Sequence, residues 1–382
     1  MNIVIAGGGT GGHLFPGLAL AEELRTRGHE LLFVGTAKGI EARVLPGAGW
    51  RLELIEAEGI KGRGVVGLWR GLGRVPRAIW RSREILRDFR ADAVVGVGGY
   101  ASGPVVLAGA LGRRPTAILE QNSIPGITNR ILGRVVRRVY TSFTESERFF
   151  PARKLRPLGN PIRAGLRDAA ARGASAPEQA SEQAPDRTPT LLVLGGSQGA
   201  RAVNELMVGA MEQLRATGRR LPHLVHQTGP KDAEEATRRY QAAGLPVATP
   251  APDAGAAQIE VRPFIDDMAG ALAAADLIVG RAGATTIAEL TAFGRAAILI
   301  PFPHATDDHQ RINAQALAAA GAAVVLDQKG LTAEALAAAL GPLLEDGAAR
   351  ARMAAASRSL GRPGAARAIA DDLLAMMSGQ SR

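Results

Sequence analysis

The sequence predicts an α/β chain built from two Rossmann-like parallel-sheet domains that face each other across a cleft. Short apolar runs alternate with segments of helical spacing along most of the 382 residues, which is typical of parallel α/β folds. Two of these runs, at residues 3–6 and 191–194, lead directly into a glycine-rich loop that opens a helix. The length also fits two domains of ordinary size.

In the first half of the chain, strands and helices are predicted up to about residue 165. Apolar runs predict strands at residues 3–6, 31–34, 93–97, 116–119 and 135–141, and helical spacing predicts helices at 17–27 and 76–89. Residues 168–189 are rich in Ala, Gln, Glu and Pro and have no apolar period. We therefore expect an N-terminal domain over residues 1–165 and a low-complexity linker over residues 166–189.

The alternation of strands and helices starts again at residue 190. Strands are predicted at residues 190–194, 223–227, 259–264, 277–279, 297–300 and 323–326, and helices at 200–217, 267–274, 286–292, 308–319 and 332–344. A last helix is predicted near residues 365–377, after a Gly/Pro segment. These elements predict a C-terminal domain over residues 190–363, followed by a terminal helical segment over residues 364–382.

The composition argues against several classes of protein and site. The chain has no cysteine, which excludes disulfides and thiolate metal sites, and its six histidines lack metal-ligand spacing. No Asp-x-Asp pair is present, and the adjacent aspartates at 266–267 and 307–308 are interpreted as helix caps. We find no apolar run of about 18 residues and no signal peptide. We therefore expect no metal, no cofactor and no membrane-spanning helix.

The excess of positive over negative charge lies in residues 1–160. The net charge is +10, of which residues 1–160 carry +11 and the remainder −1. Residues 61–90 hold nine basic and two acidic residues together with two of the three tryptophans. This mixture fits contact with a membrane surface, or an arginine-rich solvated helix whose apolar face lies in the core. Nucleic acid is not indicated, because aromatic residues are few and no nucleic-acid motif is present.

The glycine-rich loops predict sites for phosphate groups. The first reads G-G-G-T-G-G-H over residues 7–13, and the second G-G-S-Q-G-A over residues 195–200. Glycine lets the backbone approach an anion closely, and the start of the following helix presents free N–H groups. The first loop matches the dinucleotide pattern, but the second predicted strand ends at residues 32–36 without the acid that binds ribose. An NAD enzyme is therefore disfavoured.

Further polar groups follow the predicted strands. The glycine-rich segment 96–104 and the sequence E-Q-N at 120–122 both lie at expected carboxyl ends of strands, where open α/β sheets bind ligands. His13 is either a base or a polar residue at the start of a helix. Glu289 either binds ribose hydroxyls or is solvated, and the polar run 304–313 either lines a sugar pocket or begins a helix.

Taken together, the motifs resemble those of the MurG family of bacterial peptidoglycan N-acetylglucosaminyltransferases. The similar segments are 8–13 with 15–17, 98–104, 120–122, 159–163, 195–200, 264–268, 281–284 with Glu289, and Gln310 with Asn313. The resemblance spans nearly the whole chain. It implies a GT-B fold whose C-terminal helix returns to the N-terminal domain. It also implies inverting transfer of GlcNAc from UDP-GlcNAc to lipid I, forming lipid II, by a peripheral protein on the cytoplasmic face of the cell membrane.

The resemblance also implies roles for individual residues. In the C-terminal domain, the Ile265 backbone would contact uracil, Glu289 would bind ribose, and the loop around Ser197 would hold the diphosphate. The implied donor-binding residues are Thr10, Gly11, Gly12, Asn122, Arg163, Ser197, Gln198, Gly199, Ile265, Arg281, Glu289, Gln310 and Asn313. The N-terminal loops would receive the lipid I diphosphate. Thr10 and Asn122 would also border this acceptor site, whose implied residues are Gly8, Gly9, Gly98, Gly99, Tyr100 and Asn129.

The implied catalytic residues are His13 and Glu120, and the choice of general base between them stays open. Leu119 stands where the family commonly has a histidine, which puts an essential role for that histidine in doubt in this chain. His309 replaces a common glutamine. Two other functions compete: a GT-B transferase with a different acceptor, and a non-catalytic protein that binds a sugar nucleotide.

Overall fold

The computed structural model describes residues 1–57, 64–174, 187–196, 199–248 and 258–379, with the backbone alone at 64–74 and 174. The chain divides into two compact units. The first consists of Met1–Ala164 with Arg362–Arg382, and the second of Gly165–Gly361. Each unit has one parallel sheet with helices around it, which confirms the predicted fold class.

The first unit contains a seven-stranded sheet in the order β3-β2-β1-β4-β5-β6-β7. Its strands are β1 Asn2–Gly7, β2 Glu30–Gly35, β3 Leu52–Leu54, β4 Ala93–Gly98, β5 Thr116–Glu120, β6 Arg138–Thr141 and β7 Leu155–Arg156. Its first five α-helices are α1 Gly11–Thr26, α2 Glu41–Gly47, α3 Gly64–Asp88, α4 Ser102–Leu111 and α5 Ile127–Leu132. Short 3-10 helices lie at Thr144–Phe149 and Ala152–Lys154.

The second unit contains a six-stranded sheet in the order β10-β9-β8-β11-β12-β13. Its strands are β8 Thr190–Leu194, β9 His223–Gln227, β10 Ile259–Arg262, β11 Leu277–Gly280, β12 Ala296–Leu299 and β13 Ala323–Val325. Helix α6 Ala164–Ala174 begins at the boundary between the units. The later helices are α7 Arg201–Ala216, α8 Ala233–Ala242, α9 Met268–Ala274, α10 Ala284–Ala292, α11 His309–Ala319, α12 Ala333–Glu345 and α13 Gly347–Leu360, with a 3-10 turn at Thr306–Asp308.

The central strand β1 is buried on both faces. Ile3 and Ile5 belong to one apolar cluster, and Val4 and Ala6 belong to another on the opposite face. Burial of both faces explains why the strand is a continuous apolar run rather than an alternating one. Packing from both sides also holds the carboxyl end of β1, where the first glycine loop begins.

The final helix, α14 Ala365–Met377, packs against α1 in the first unit. Ile369 and Leu373 are fully buried in the same cluster as β1. The Asp372 carboxylate accepts hydrogen bonds from Tyr140 Oη at 2.9 Å and from Arg138 Nε at 3.2 Å. The chain end is therefore part of the first unit, although the whole second unit separates it from α5 and β7 in sequence.

Several elements differ from their sequence prediction. Helix α1 begins at Gly11 rather than at residue 17, because Gly and Pro in its first turns weaken the helical signal. Helix α6 covers the first part of the expected linker, so residues 168–174 are helical. Residues 175–186 of that linker lie outside the described residues. Strand β6 begins at Arg138, and β10 ends at Arg262, so both are shorter than predicted.

Candidate functional site

The order of strands reverses at one point in each sheet. In the first unit this switch lies between β1 and β4, and in the second between β8 and β11. The helices that follow these two strands leave on opposite sides, and the crevice at such a point is where open α/β sheets bind ligands. Both predicted glycine loops begin at these positions.

The first loop, Gly7–Gly9, lies directly against the loop that follows β4. The φ angles of Gly7, Gly8 and Gly9 are 136°, 138° and 88°, in the region that favours glycine. The Gly8 N–H donates to the Gly98 carbonyl at 3.2 Å. A Cβ atom at Gly99 would lie 2.3 Å from the Gly8 carbonyl oxygen. The structure therefore brings these predicted acceptor residues together, and their close approach requires glycine.

His13 lies in the first turn of α1 and borders the same loops. A Cβ atom at Gly98 would lie 2.7 Å from His13 Cδ2, so the imidazole packs on the Gly98 backbone. His13 Nδ1 lies 3.4 Å from Thr10 Oγ1. The His13 side chain is half-buried, and Tyr100, in the loop that follows β4, is 58% exposed. His13, Thr10 and Tyr100 thus all lie near the switch point of the first sheet.

Glu120 ends β5 and is 2% exposed. Its carboxylate accepts hydrogen bonds from Asn122 N at 3.0 Å and from Asn129 Nδ2 at 2.8 Å. Burial raises the pKa of Glu120 to about 7, although both hydrogen bonds act in the opposite direction. The preceding residue, Leu119, is buried in the apolar cluster of β1. Glu120 is therefore an enclosed carboxyl group that exchanges its proton near neutral pH.

The second loop follows β8, and two of its three glycines also have left-handed backbone. Gly196 and Gly199 have φ angles of 83° and 77°. A Cβ atom at Gly199 would lie 2.0 Å from the Thr228 carbonyl oxygen, so the loop presses against the end of β9. The loop leads into α7 at Arg201. Ser197 and Gln198, both predicted to bind the donor, lie outside the described residues.

A buried hydrogen-bonded chain lies behind the second loop. His226 Nδ1 is 2.9 Å from Tyr240 Oη, and His226 Nε2 is 3.1 Å from Asn204 Oδ1. Asn204 Nδ2 donates to the Thr228 carbonyl at 3.0 Å. Because Asn204 presents its oxygen to the ring, Nε2 carries the proton and Nδ1 accepts from the tyrosine. Burial lowers the pKa of His226 to about 3, so the ring stays neutral.

Three predicted donor residues come together at the ends of β11 and β12. Arg281 Nη1 donates to the carbonyls of Ile300 and Pro301 at 3.0 and 3.2 Å. Gln310 Oε1 accepts from Phe302 N at 2.9 Å. Asn313 Nδ2 donates to the Ala282 carbonyl at 3.2 Å, and this asparagine is fully buried. These contacts hold the backbone that follows both strands. Ile265 is buried at 2% exposure and Glu289 is half-buried.

The turn before Gln310 has strained backbone. Asp307 and Asp308 have φ angles of 53° and 56°, which non-glycine residues rarely adopt. The expectation that Asp308 caps a helix with its side chain is wrong, because its carboxylate accepts from Arg311 Nε at 2.6 Å instead. Asp267 does cap α9, accepting from Gly270 N at 2.8 Å. Left-handed residues of this kind cluster at ligand-binding sites.

The predicted donor residues are divided between the two units. Thr10, Gly11, Gly12, Asn122 and Arg163 belong to the first unit, and the others belong to the second. The Arg163 guanidinium lies 5.4 Å from the Phe15 ring centre on α1. Among the described residues, no three His, Asp or Glu side chains are grouped to hold a metal ion.

Sequence reasoning missed two buried polar groups that lie behind the loops. They are Glu41 in the first unit and His226 in the second, at 1% and 0% exposure. His226 lies within a predicted strand, and Glu41 follows the second strand by six residues. Neither forms a motif, and Gly9, Tyr240 and Asn204 among their partners lie 14 to 32 residues away in sequence. Only the packed structure identifies them.

Comparison with known proteins gives a consistent result. The family models of the glycosyltransferase family 28 N-terminal and C-terminal domains match residues 3–141 and 190–369. The UDP-N-acetylglucosamine–N-acetylmuramyl-(pentapeptide) pyrophosphoryl-undecaprenol N-acetylglucosamine transferase of Anaeromyxobacter dehalogenans is 50% identical, with 97% of this chain and 92% of that protein covered. The transferase of that name from Myxococcus xanthus is 48% identical, with 99% and 93% covered. The crystal structure of Acinetobacter baumannii MurG aligns with a TM-score of 0.76 at 32% identity, with 98% and 99% covered.

Proposed function

Because this chain belongs to glycosyltransferase family 28, we propose that it transfers GlcNAc from UDP-GlcNAc to the C4 hydroxyl of MurNAc in lipid I. The product is lipid II, a precursor of peptidoglycan, so the step serves cell-wall synthesis, cell shape and cell division. The observation that carries the proposal is the near-full-length likeness to transferases named for this reaction. Both glycine loops at the switch points agree with it.

The second unit binds UDP-GlcNAc in this proposal. The diphosphate lies at the loop 195–200, where the start of α7 offers N–H groups and the positive end of its dipole. Arg281, Gln310 and Asn313 line the sugar and diphosphate, and Glu289 binds ribose. The position of Arg281 at the carbonyls that follow β12, and that of Gln310 directly after the strained turn, support this assignment. The Ile265 backbone contacts uracil.

His13 acts as the general base. It removes the proton of the C4 hydroxyl while that oxygen bonds to the anomeric carbon of GlcNAc and the bond to UDP breaks. A single displacement inverts the anomeric carbon, and the leaving diphosphate gains negative charge that helix-start N–H groups stabilise. The half-buried position of His13 beside Gly98 supports this role. Both oxygens of the buried Glu120 already bind Asn122 and Asn129, which favours a positioning role for that carboxyl group.

The first unit docks on the cytoplasmic face of the cell membrane, where the polyprenyl tail of lipid I is anchored. On α3, Ala78 and Leu86 are buried, while Trp80 is 64% exposed between Arg77 and Arg81. If the apolar face of α3 only packed into the core, an exposed tryptophan would have no role. At a membrane surface, the tryptophan would contact the lipid interface and the neighbouring arginines would contact anionic headgroups. Residues 61–63 of the predicted docking stretch lie outside the described residues. No helix of the described chain is long and apolar enough to cross a bilayer.

The test is transfer of labelled GlcNAc from UDP-GlcNAc to a short-chain lipid I analogue, with EDTA present. The proposal expects a labelled lipid II analogue and retained turnover in EDTA. Binding of UDP-GlcNAc without product on this acceptor would reject the proposed acceptor. A screen of other hydroxyl acceptors would then separate a different transferase from a non-catalytic binding protein.

A further inference from the structure

A buried carboxylate lies directly behind the first glycine loop. Glu41, the first residue of α2, is 1% exposed. Its Oε2 accepts a hydrogen bond from Gly9 N at 2.6 Å. Its Oε1 accepts from Thr36 N at 2.9 Å and from Thr36 Oγ1 at 3.1 Å. One carboxylate therefore joins the loop after β1 to the loop after β2.

The surrounding backbone forms a close-fitting cradle for this side chain. A Cβ atom at Gly8 would lie 2.4 Å from Glu41 Cδ, and one at Gly35 would lie 2.4 Å from Glu41 Cγ. A Cβ atom at Gly39 would lie 2.1 Å from Oε2. The absence of a Cβ atom at these three glycines thus leaves the space that the Glu41 side chain occupies. Its three donors and its place at the start of a helix compensate for the buried charge.

The contact changes what the first loop can bind. The N–H groups of Gly8 and Gly9 are both occupied, by the Gly98 carbonyl and by Glu41. Neither of these two N–H groups is therefore available to an acceptor anion at this loop. The same hydrogen bond fixes Gly9, which lies one residue before Thr10 and four before His13.

We propose that Glu41 is a positioning residue, which acts through Gly9 to hold the loop that carries Thr10 and His13 toward the acceptor. This inference rests on the proposed function, because the acceptor is defined there. A carboxylate is needed, since an amide at this position presents N–H groups to either Gly9 or Thr36, both of which are donors. Its loss frees Gly9 N and moves the acceptor loop, while most of the implied donor-binding residues belong to the other unit.

The first experiment compares amide hydrogen exchange across residues 7–13 in the wild type, in Glu41→Gln and in the control Glu53→Gln. Glu53 belongs to the same unit, and its side chain is 46% exposed. Faster exchange in Glu41→Gln alone supports the inference. Unchanged exchange in that variant overturns it. This readout needs no substrate, so it decides the role of Glu41 even if the proposed acceptor is wrong.

The second experiment measures kinetics with the lipid I analogue. We expect Glu41→Gln to lower kcat/KM for the acceptor between about tenfold and about a hundredfold, with a smaller change in the dissociation constant for UDP-GlcNAc, because most of the implied donor-binding residues belong to the other unit. Thr36→Ser keeps the hydroxyl and should match the wild type in kcat/KM for the acceptor. Thr36→Val removes the hydroxyl and should give a kcat/KM between those of the wild type and Glu41→Gln. This graded pair keeps the test decisive if Glu41→Gln folds poorly. Equal losses in donor and acceptor binding, or none, would contradict a positioning role. An inactive wild type would instead reject the proposed function.

Discussion

Replacing Glu120 by glutamine should change how the stability of the first unit depends on pH. The Glu120 carboxyl is 2% exposed, and burial raises its pKa from 4.5 to about 7. Because the folded pKa lies above the unfolded one, the protonated form favours folding. This contribution is fully present below about pH 4.5 and is lost as the pH rises through 7. Glutamine has a similar shape and does not titrate.

The size of the effect follows from the two pKa values. A rise from 4.5 to about 7 corresponds to about 3 kcal/mol in the free energy of unfolding, at about 1.36 kcal/mol per pH unit. Integration over the range from pH 5 to pH 8 gives about 2 to 3 kcal/mol. The free energy of unfolding of the wild type should fall by this amount, relative to that of Glu120→Gln, as the pH rises from 5 to 8. All other groups titrate in both proteins, so the difference between them isolates Glu120.

Denaturant unfolding followed by tryptophan fluorescence measures this difference. All three tryptophans, Trp50, Trp69 and Trp80, belong to the first unit, so the signal reports its unfolding. The Glu53→Gln variant, changed at a side chain that is 46% exposed, serves as the control for the substitution itself. A constant difference between Glu120→Gln and wild type from pH 5 to pH 8 would refute the reasoning. It would mean that the native carboxyl is already ionised at pH 5.

Three further predictions concern the base, the second unit and the membrane. His13→Ala should lower turnover by at least about tenfold while leaving UDP-GlcNAc binding nearly intact in a titration; unchanged turnover would exclude the base role. The lowered pKa of His226, about 3 against an ordinary 6.5, makes the second unit lose stability as the pH falls from 6.5 toward 3. The protection factors of the β9 amides, which are hydrogen-exchange rates corrected for the intrinsic effect of pH, should therefore fall in acid, and less so in His226→Gln. Trp80→Ala should weaken sedimentation with anionic vesicles, whereas Phe302→Ala, an exposed aromatic change in the second unit, should not; equal effects would reject α3 as the docking helix.

The central strands and their loops were predictable from the sequence for a physical reason. Strands β1 and β8 are covered by helices, so each is a continuous apolar run. Glycine weakens a helix, so the glycines that follow each strand indicate a loop with positive φ angles or a close backbone approach. The resemblance predicted from these motifs is confirmed by the relatives. Helix α4 escaped prediction because it is apolar on nearly all sides and gives no helical period. Helix α13 was not predicted either, because its sequence is rich in alanine and few of its residues are buried.

The fold class, the two glycine-rich loops and the resemblance could be predicted from the sequence, because they depend on residues that are neighbours along the chain. Which polar side chains support those loops depends on how distant elements pack together. Glu41 meets Gly9 across 32 residues, and Asp372 meets Tyr140 across 232. A buried polar group is tolerated only where its partners converge on it. That convergence is produced by the packing of separate elements, so no local pattern in the sequence reveals it.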